Sequence, residues 1–272
     1  MRNLIDNCSI NLEKRTKISN RYKQITKAIN KEFWNSLSET NNSLYVGSYG
    51  RNTAISSSDI DILVILPAKE FDWANNLKGN SQSRLLQAVK LAIKDAYSTS
   101  EIRADGQIIK INFRDGIVFE ILPAFEQFDK SFVYPDTNKG GKWKITNPRK
   151  IQEAMKEKNK MSNDLLTFTC KIIRIIKDKY FQSYKLSGIV IDSFVFHSID
   201  QWRFLPSYCV PNINFEIYIN HLITIFEQNY WKWYINGLET PGSKELVDFE
   251  NSSSCLGKVL QFWYDKARNH NF

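Results

Sequence analysis

At 272 residues with a formal net charge of +8, the chain can bury a substantial core, as one two-lobed unit or as two domains. Its 37 Lys and Arg are scattered, which excludes a basic tail for nucleic acid, and the charge alone selects no anionic partner. No apolar run approaches the ~20 residues of a membrane span and no apolar leader opens the chain, so a cytoplasmic protein without membrane contact is expected.

From about Ser9 to Leu37, Leu12, Ile18, Tyr22, Ile25, Ile29 and Phe33 recur at helical spacing among charged residues, predicting an amphipathic helix. The next stretch, Leu44-Tyr45-Val46-Gly47-Ser48-Tyr49-Gly50-Arg51-Asn52-Thr53-Ala54-Ile55, is followed by three serines and then by Asp59-Ile60-Asp61-Ile62-Leu63-Val64-Ile65-Leu66. Two β-rich segments therefore flank a small-residue connection. Side chains alternate along a strand, so Asp59 and Asp61 share one side while Ile60, Ile62 and Val64 point into the core. Two carboxylates that close repel each other, and their usual partner is a hard divalent cation such as Mg2+, which also takes substrate phosphates. Gly47 lets backbone approach closely, and Ser48 offers an N–H and a hydroxyl to a phosphate.

A second helix is predicted over Ser83 to Tyr97, after a polar loop at Asn75 to Asn80. Gly106 to Phe113 alternates, Arg114-Asp115-Gly116 is a hairpin turn signal, and Ile117-Val118-Phe119-Glu120-Ile121-Leu122-Pro123 is the returning strand. Glu120 is the only acid in that strand and the candidate third carboxylate. Glu126 to Asn147 is expected to be turn-rich, with Thr146 or Asn147 capping a helix that begins at Pro148.

The remainder reads as helical. A long helix follows Asn147, with Leu165, Phe168, Ile172, Ile176 and Tyr180 on one face and Lys171, Arg174 and Lys177 or Asp178 on another. Further helices are expected over Leu186 to Trp202, Phe215 to Tyr234 and Leu256 to Ala267. The aromatics Tyr230, Trp231, Trp233 and Tyr234 and the histidine His197 are read as core residues. The four cysteines, Cys8, Cys170, Cys209 and Cys255, are far apart with no C-x-x-C and no His at ligand spacing, which argues against structural zinc.

Gly-Ser, ten residues, Asp-Ile-Asp and a later strand carboxylate together resemble the polymerase-β-like nucleotidyltransferases. Gly47 to Ile55, Phe119-Glu120-Ile121-Leu122-Pro123-Ala124-Phe125, Tyr134-Pro135-Asp136 and Trp143-Lys144-Ile145-Thr146-Asn147-Pro148-Arg149 look like the bacterial relatives of cyclic GMP-AMP synthase. Those are the SMODS-type CD-NTases, which make cyclic dinucleotide and oligonucleotide signals in anti-phage defence. The resemblance runs from about Leu44 to about Phe196. It departs from the wider superfamily in having Glu120 where Asp is common, and from the animal relatives in lacking a zinc-binding insertion.

The resemblance implies an α+β fold. A nucleotidyltransferase lobe with a small mixed sheet, flanking helices and an N-terminal spine helix would occupy residues 1–147, and a helical lobe closing the nucleotide cleft residues 148–272. It implies Asp59, Asp61 and Glu120 as catalytic residues and as ligands of two Mg2+ ions, with Mn2+ as an alternative. Gly47, Ser48, Lys171, Arg174 and Ser187 would bind nucleotide, and Asn159 or Asn163 are candidates for base choice. The expected substrates are NTPs rather than nucleic acid, and the expected partners are a product-sensing effector protein and a regulatory partner of unknown identity. A nucleotidyltransferase acting on an RNA end, a small molecule or a protein would share the same chemistry. A non-catalytic binding module is disfavoured by the presence of all three carboxylates.

Overall fold

A computed structural model describes residues 8–97, 100–205 and 213–269; Cys209 lies outside them. The chain divides into two compact units, Ile10–Gly50 with Ser58–Pro148, and Arg51–Ser57 with Cys8, Ser9 and the described residues from Arg149 on.

The first unit opens with α1 (Leu12–Trp34), capped by Asn11, whose side chain accepts from the Lys14 N–H, and ended by Asn35 in the left-handed conformation (φ 48°). Its buried stripe of Ile18, Tyr22, Ile25, Ile29 and Phe33 repeats every three or four residues, as the sequence pattern requires. There follow β1 (Ser43–Tyr45), the single turn α2 (Gly47–Gly50), β2 (Ile60–Ile65), α3 (Ala68–Asn75) and α4 (Ser81–Ala96). Next come β3 (Glu101–Asp105), β4 (Ile108–Asn112), β5 (Val118–Glu126), β6 (Phe132–Asp136) and β7 (Lys142–Thr146). The strands form one mixed sheet in the order β1-β2-β5-β4-β3, and β6 pairs with the end of β5 and carries β7. Only β2 and β5 run parallel. That pairing needs a crossover, which α4 and the β3–β4 hairpin provide. Ile60, Ile62, Phe119 and Ile121 are fully buried on the sheet, with α1 against β2 and α4 against β3 and β4.

Several strands escape the sequence reading. β3 was not expected, although Ile102 and Ala104 alternate with charged residues before the Asp105-Gly106 turn. The region from Glu126 to Asn147 is a hairpin of β6 and β7 rather than turns alone. Pro135 and the lysine-rich Lys142-Trp143-Lys144 hide its period, while Gly140 and Gly141 at φ 88° and 96° make its turn.

The second unit holds α5 (Pro148–Met161), α6 (Leu165–Tyr180), α7 (Gly188–Ser198), α8 (Phe215–Asn236), a short hairpin of β8 (Leu238–Glu239) and β9 (Leu246–Val247), and α9 (Glu250–Arg268). Its core gathers Ile172, Ile176, Phe194, Tyr218, Phe249 and Trp263. The single long helix expected after Asn147 is two helices. Asn163 and Asp164 adopt positive φ (48° and 69°). Asn159 stabilises the break by accepting from the Thr167 N–H at 3.0 Å and donating to Asp164 at 2.7 Å, while Asn163 donates to the Phe204 carbonyl at 2.7 Å. These amides, candidates for base choice, are thus engaged in the turn. Trp233 is buried as expected, but Trp231 is 69% exposed, and His197 is exposed with Nε2 on the Glu239 carbonyl at 2.9 Å. Among the described residues no helix is long and apolar enough to cross a membrane.

Candidate active site

Backbone hydrogen bonds set the Gly-Ser turn against the acidic strand. β1 lies antiparallel to β2 with Tyr45 opposite Ile62, and the Val46 N–H donates to the Asp61 carbonyl at 2.9 Å. The chain then turns into α2 through Gly47 at φ +58°, and the Gly50 N–H returns to the Val46 carbonyl at 2.9 Å. A Cβ built on Gly47 would coincide with the Asp61 carboxylate. Gly47 is needed both for its backbone angle and for the space it leaves. Ser48 follows at once, half-buried at the start of the turn.

The carboxylates are set by strand register. Asp61 on β2 stands directly beside Glu120 on parallel β5, and Glu120 stands directly opposite Lys110 on antiparallel β4. Residues in register share a face, so Asp61, Glu120 and Lys110 form one row across three strands. Asp59 lies two residues before Asp61 and joins them. The Lys110 ammonium donates to Glu120 Oε1 at 2.8 Å and to Asp59 Oδ2 at 3.2 Å. The hydrogen bond to Glu120, ahead of the Coulombic attraction of both acids, raises the Lys110 pKa above its ordinary value and keeps it cationic. Just beyond the acids on β2 and β5, Val46, Leu63, Ala124 and Phe132 form a buried apolar cluster that fixes the strands beneath them.

Lys110 was not singled out from the sequence, yet the signal was there. A hairpin centred on Asp115 pairs residues symmetrically about it, and Lys110 and Glu120 are equidistant from that centre.

Among the described residues no three His, Cys, Asp or Glu are gathered as a ready metal cluster. What converges on Asp59 and Glu120 is the Lys110 ammonium. The donor set of Asp59, Asp61 and Glu120 is oxygen only and anionic, as a hard divalent ion requires, so the residues suit Mg2+ or Mn2+ in kind.

The second unit carries the other candidates. Arg174, expected to bind nucleotide from a basic face of α6, is buried instead. Its Nη1 lies 2.7 Å from Asp192 Oδ1 and donates to the Cys170 carbonyl at 3.2 Å, and its Nη2 donates to the Gly188 carbonyl at 2.8 Å. Asp192 is fully buried on α7 and also takes Arg51 Nε at 2.6 Å and the Thr53 hydroxyl at 3.0 Å. Burial alone would raise the Asp192 pKa, but the charges of Arg174 and Arg51 outweigh it and hold the carboxyl below its usual range. α6 is buried almost all round from Leu165 to Ile176, so its apolar period does not mark an outer face there. The missed partner is Asp192, whose signal was an acid inside the apolar run Ile189-Val190-Ile191-Asp192-Ser193-Phe194-Val195. Lys171 is half-buried on the same helix, and Ser187 is exposed at the start of α7, its N–H donating to Ser252 Oγ at 3.1 Å.

The family model for the Second Messenger Oligonucleotide or Dinucleotide Synthetase domain matches residues 1–159. No curated protein sequence matches the chain. Among solved structures, a STING-associated CdnE c-di-GMP synthase from Capnocytophaga granulosa is 16% identical, with a TM-score of 0.64 over 94% of this chain and 83% of that one. CdnC of E. coli MS115-1, solved with ATP, is 11% identical with a TM-score of 0.64, covering 98% of this chain and 89% of its own. A CdnE cyclic dinucleotide synthase of Elizabethkingia meningoseptica, solved with GTP and Apcpp, is 15% identical, with a TM-score of 0.59 and 90% of each chain covered. These likenesses are of fold, and the α+β class expected from the sequence is the one observed.

Proposed function

Because the chain belongs to the Second Messenger Oligonucleotide or Dinucleotide Synthetase family, we propose that it is a metal-dependent nucleotidyltransferase that joins NTPs into a cyclic di- or oligonucleotide and releases pyrophosphate. The observation that carries this reading is the register of Asp61 beside Glu120, with the Gly47 turn packed directly against Asp61.

Asp59, Asp61 and Glu120 would hold two Mg2+ or Mn2+ ions. Bound there, the ions would polarise the phosphate oxygens and acidify an attacking hydroxyl. The chain's own part is positioning. The Gly47 turn would bring backbone and the Ser48 hydroxyl to the triphosphate, and a side chain at 47 would displace the Asp61 carboxylate. A ribose hydroxyl attacks the α-phosphorus in line, its oxygen forms the new P–O bond, and pyrophosphate departs with the electron pair of the broken one. Glu120 accepts the hydroxyl proton. The linear product then turns so that its own triphosphate is attacked, which closes the ring. Lys171 would be the helix cation that meets a nucleotide phosphate, since Arg174 is committed to Asp192. The cyclic product would signal to an effector protein in anti-phage defence.

Labelled ATP, GTP, CTP and UTP, singly and mixed, with Mg2+ and no acceptor, test this reading through phosphatase-resistant products identified by mass. A transferase acting on an RNA end, a small molecule or a protein makes no such product from NTPs alone.

A further inference from the structure

Among the described residues, Lys110 is a cation that the fold itself places in the acidic row. It is fixed by cross-strand register opposite Glu120, and it ties two of the three carboxylates together at 2.8 and 3.2 Å. The side chains of Lys110, Asp59 and Glu120 are 38%, 39% and 25% exposed, so the cluster is partly withdrawn from water. In such a place, adjacent carboxylates without a cation would repel strongly. A divalent ion bound by Asp59 and Glu120 needs the same oxygen lone pairs that the ammonium now takes, and two cations sharing them would repel each other.

We propose that Lys110 is the resident counter-cation of this site, holding Asp59 and Glu120 in the nucleotide-free protein and competing directly with a divalent ion for their oxygens. Metal loading is then an exchange of one cation for another, and Lys110 sets its threshold. The proposal rests on the reading of Asp59, Asp61 and Glu120 as metal ligands. It goes beyond that reading in assigning a role to a residue outside the carboxylate set.

The test is the dissociation constant of Mn2+ for the whole chain without nucleotide, read from the electron paramagnetic resonance signal of free Mn2+. Lys110→Met and Lys110→Gln remove the competitor and should bind Mn2+ roughly tenfold more tightly or better. Lys110→Arg keeps a cation and should stay close to wild type. Neutral variants that bind Mn2+ as wild type does, or more weakly, overturn the proposal. A measurement on the wild type covers the case in which neither neutral variant folds. Saturating Mn2+ should free the Lys110 amine and raise its rate of acetylation severalfold by peptide mass spectrometry, and an unchanged or lower rate overturns the proposal. Product formation from NTPs by the wild type is scored in parallel. Product with no effect of Lys110 on Mn2+ affinity removes the counter-cation role alone, whereas a gain in Mn2+ affinity without product removes the synthase reading alone.

Discussion

The missing side chain of Gly47 leaves the space that the Asp61 carboxylate occupies. Turn and acidic strand are therefore one object, held by the hydrogen bond from Val46 N–H to the Asp61 carbonyl at 2.9 Å.

Gly47→Ala should thus damage site and fold together. The methyl group collides with Asp61, and a non-glycine residue at φ +58° carries a conformational penalty of about 1–2 kcal/mol. We expect product formation to fall by roughly a hundredfold or more and the melting temperature to drop. In the background of Asp61→Gly the stability loss should shrink, because the clash is gone, and a double-mutant cycle reads that coupling. Additive losses would mean that the two residues do not meet.

Asp59→Ala and Asp61→Ala should each abolish product while the chain stays folded, since each removes a charge from a crowded acidic row. Glu120→Gln should act likewise on turnover, with Lys110 retaining Asp59 as its partner. More than a few per cent of wild-type turnover in the Asp59, Asp61 double variant would remove the carboxylates from the chemistry.

The helix cations should separate. Arg174→Gln leaves Asp192 buried with one cation fewer and should cost about 3–5 kcal/mol of stability by denaturant unfolding. Lys171→Gln should leave stability nearly unchanged and lower kcat/KM ten- to a hundredfold if its ammonium meets a phosphate, a contact worth ~1.5–3 kcal/mol. An effect below twofold makes Lys171 an ordinary helix-surface lysine.

Acid should destabilise the protein through two carboxyls in particular. The hydrogen bond from Lys144, at 2.8 Å, holds Asp136 well below the usual carboxylate range. Asp192 is also held low, Arg174 and Arg51 overcoming its burial. A folded pKa below the unfolded value of about 3.9 gives stability that is complete above that pH and drains away as pH falls towards the folded value. Melting temperature should therefore be flat with respect to these two groups near neutrality and fall steeply below about pH 4. Lys144→Met should lower it at pH 7 and flatten its acid slope; an unchanged slope would leave Asp136 outside the acid transition.

The carboxylates were legible in the sequence because strand alternation and hairpin symmetry are local rules. Asp59, Asp61 and Glu120 follow from them, and α1 and α4 follow from an apolar period of three to four. What escaped needed partners distant in sequence. Arg174 is read from α6 alone as a surface cation, and only Asp192, on another helix, and Arg51, more than a hundred residues away, make it a buried one. The break at Asn163 and Asp164 escaped because two polar residues in left-handed backbone look, in sequence, like an ordinary helix surface. Lys110 stood in plain view once the hairpin centre was known.

The mass of what the protein makes from NTPs alone is the most direct test of the central claim. The account predicts a phosphatase-resistant product that has lost one pyrophosphate for every nucleotide incorporated, as a closed ring must, and that is absent with Asp59→Ala or Asp61→Ala. A product that keeps a terminal triphosphate, or one that appears only when an RNA, a small molecule or a protein acceptor is added, would contradict it.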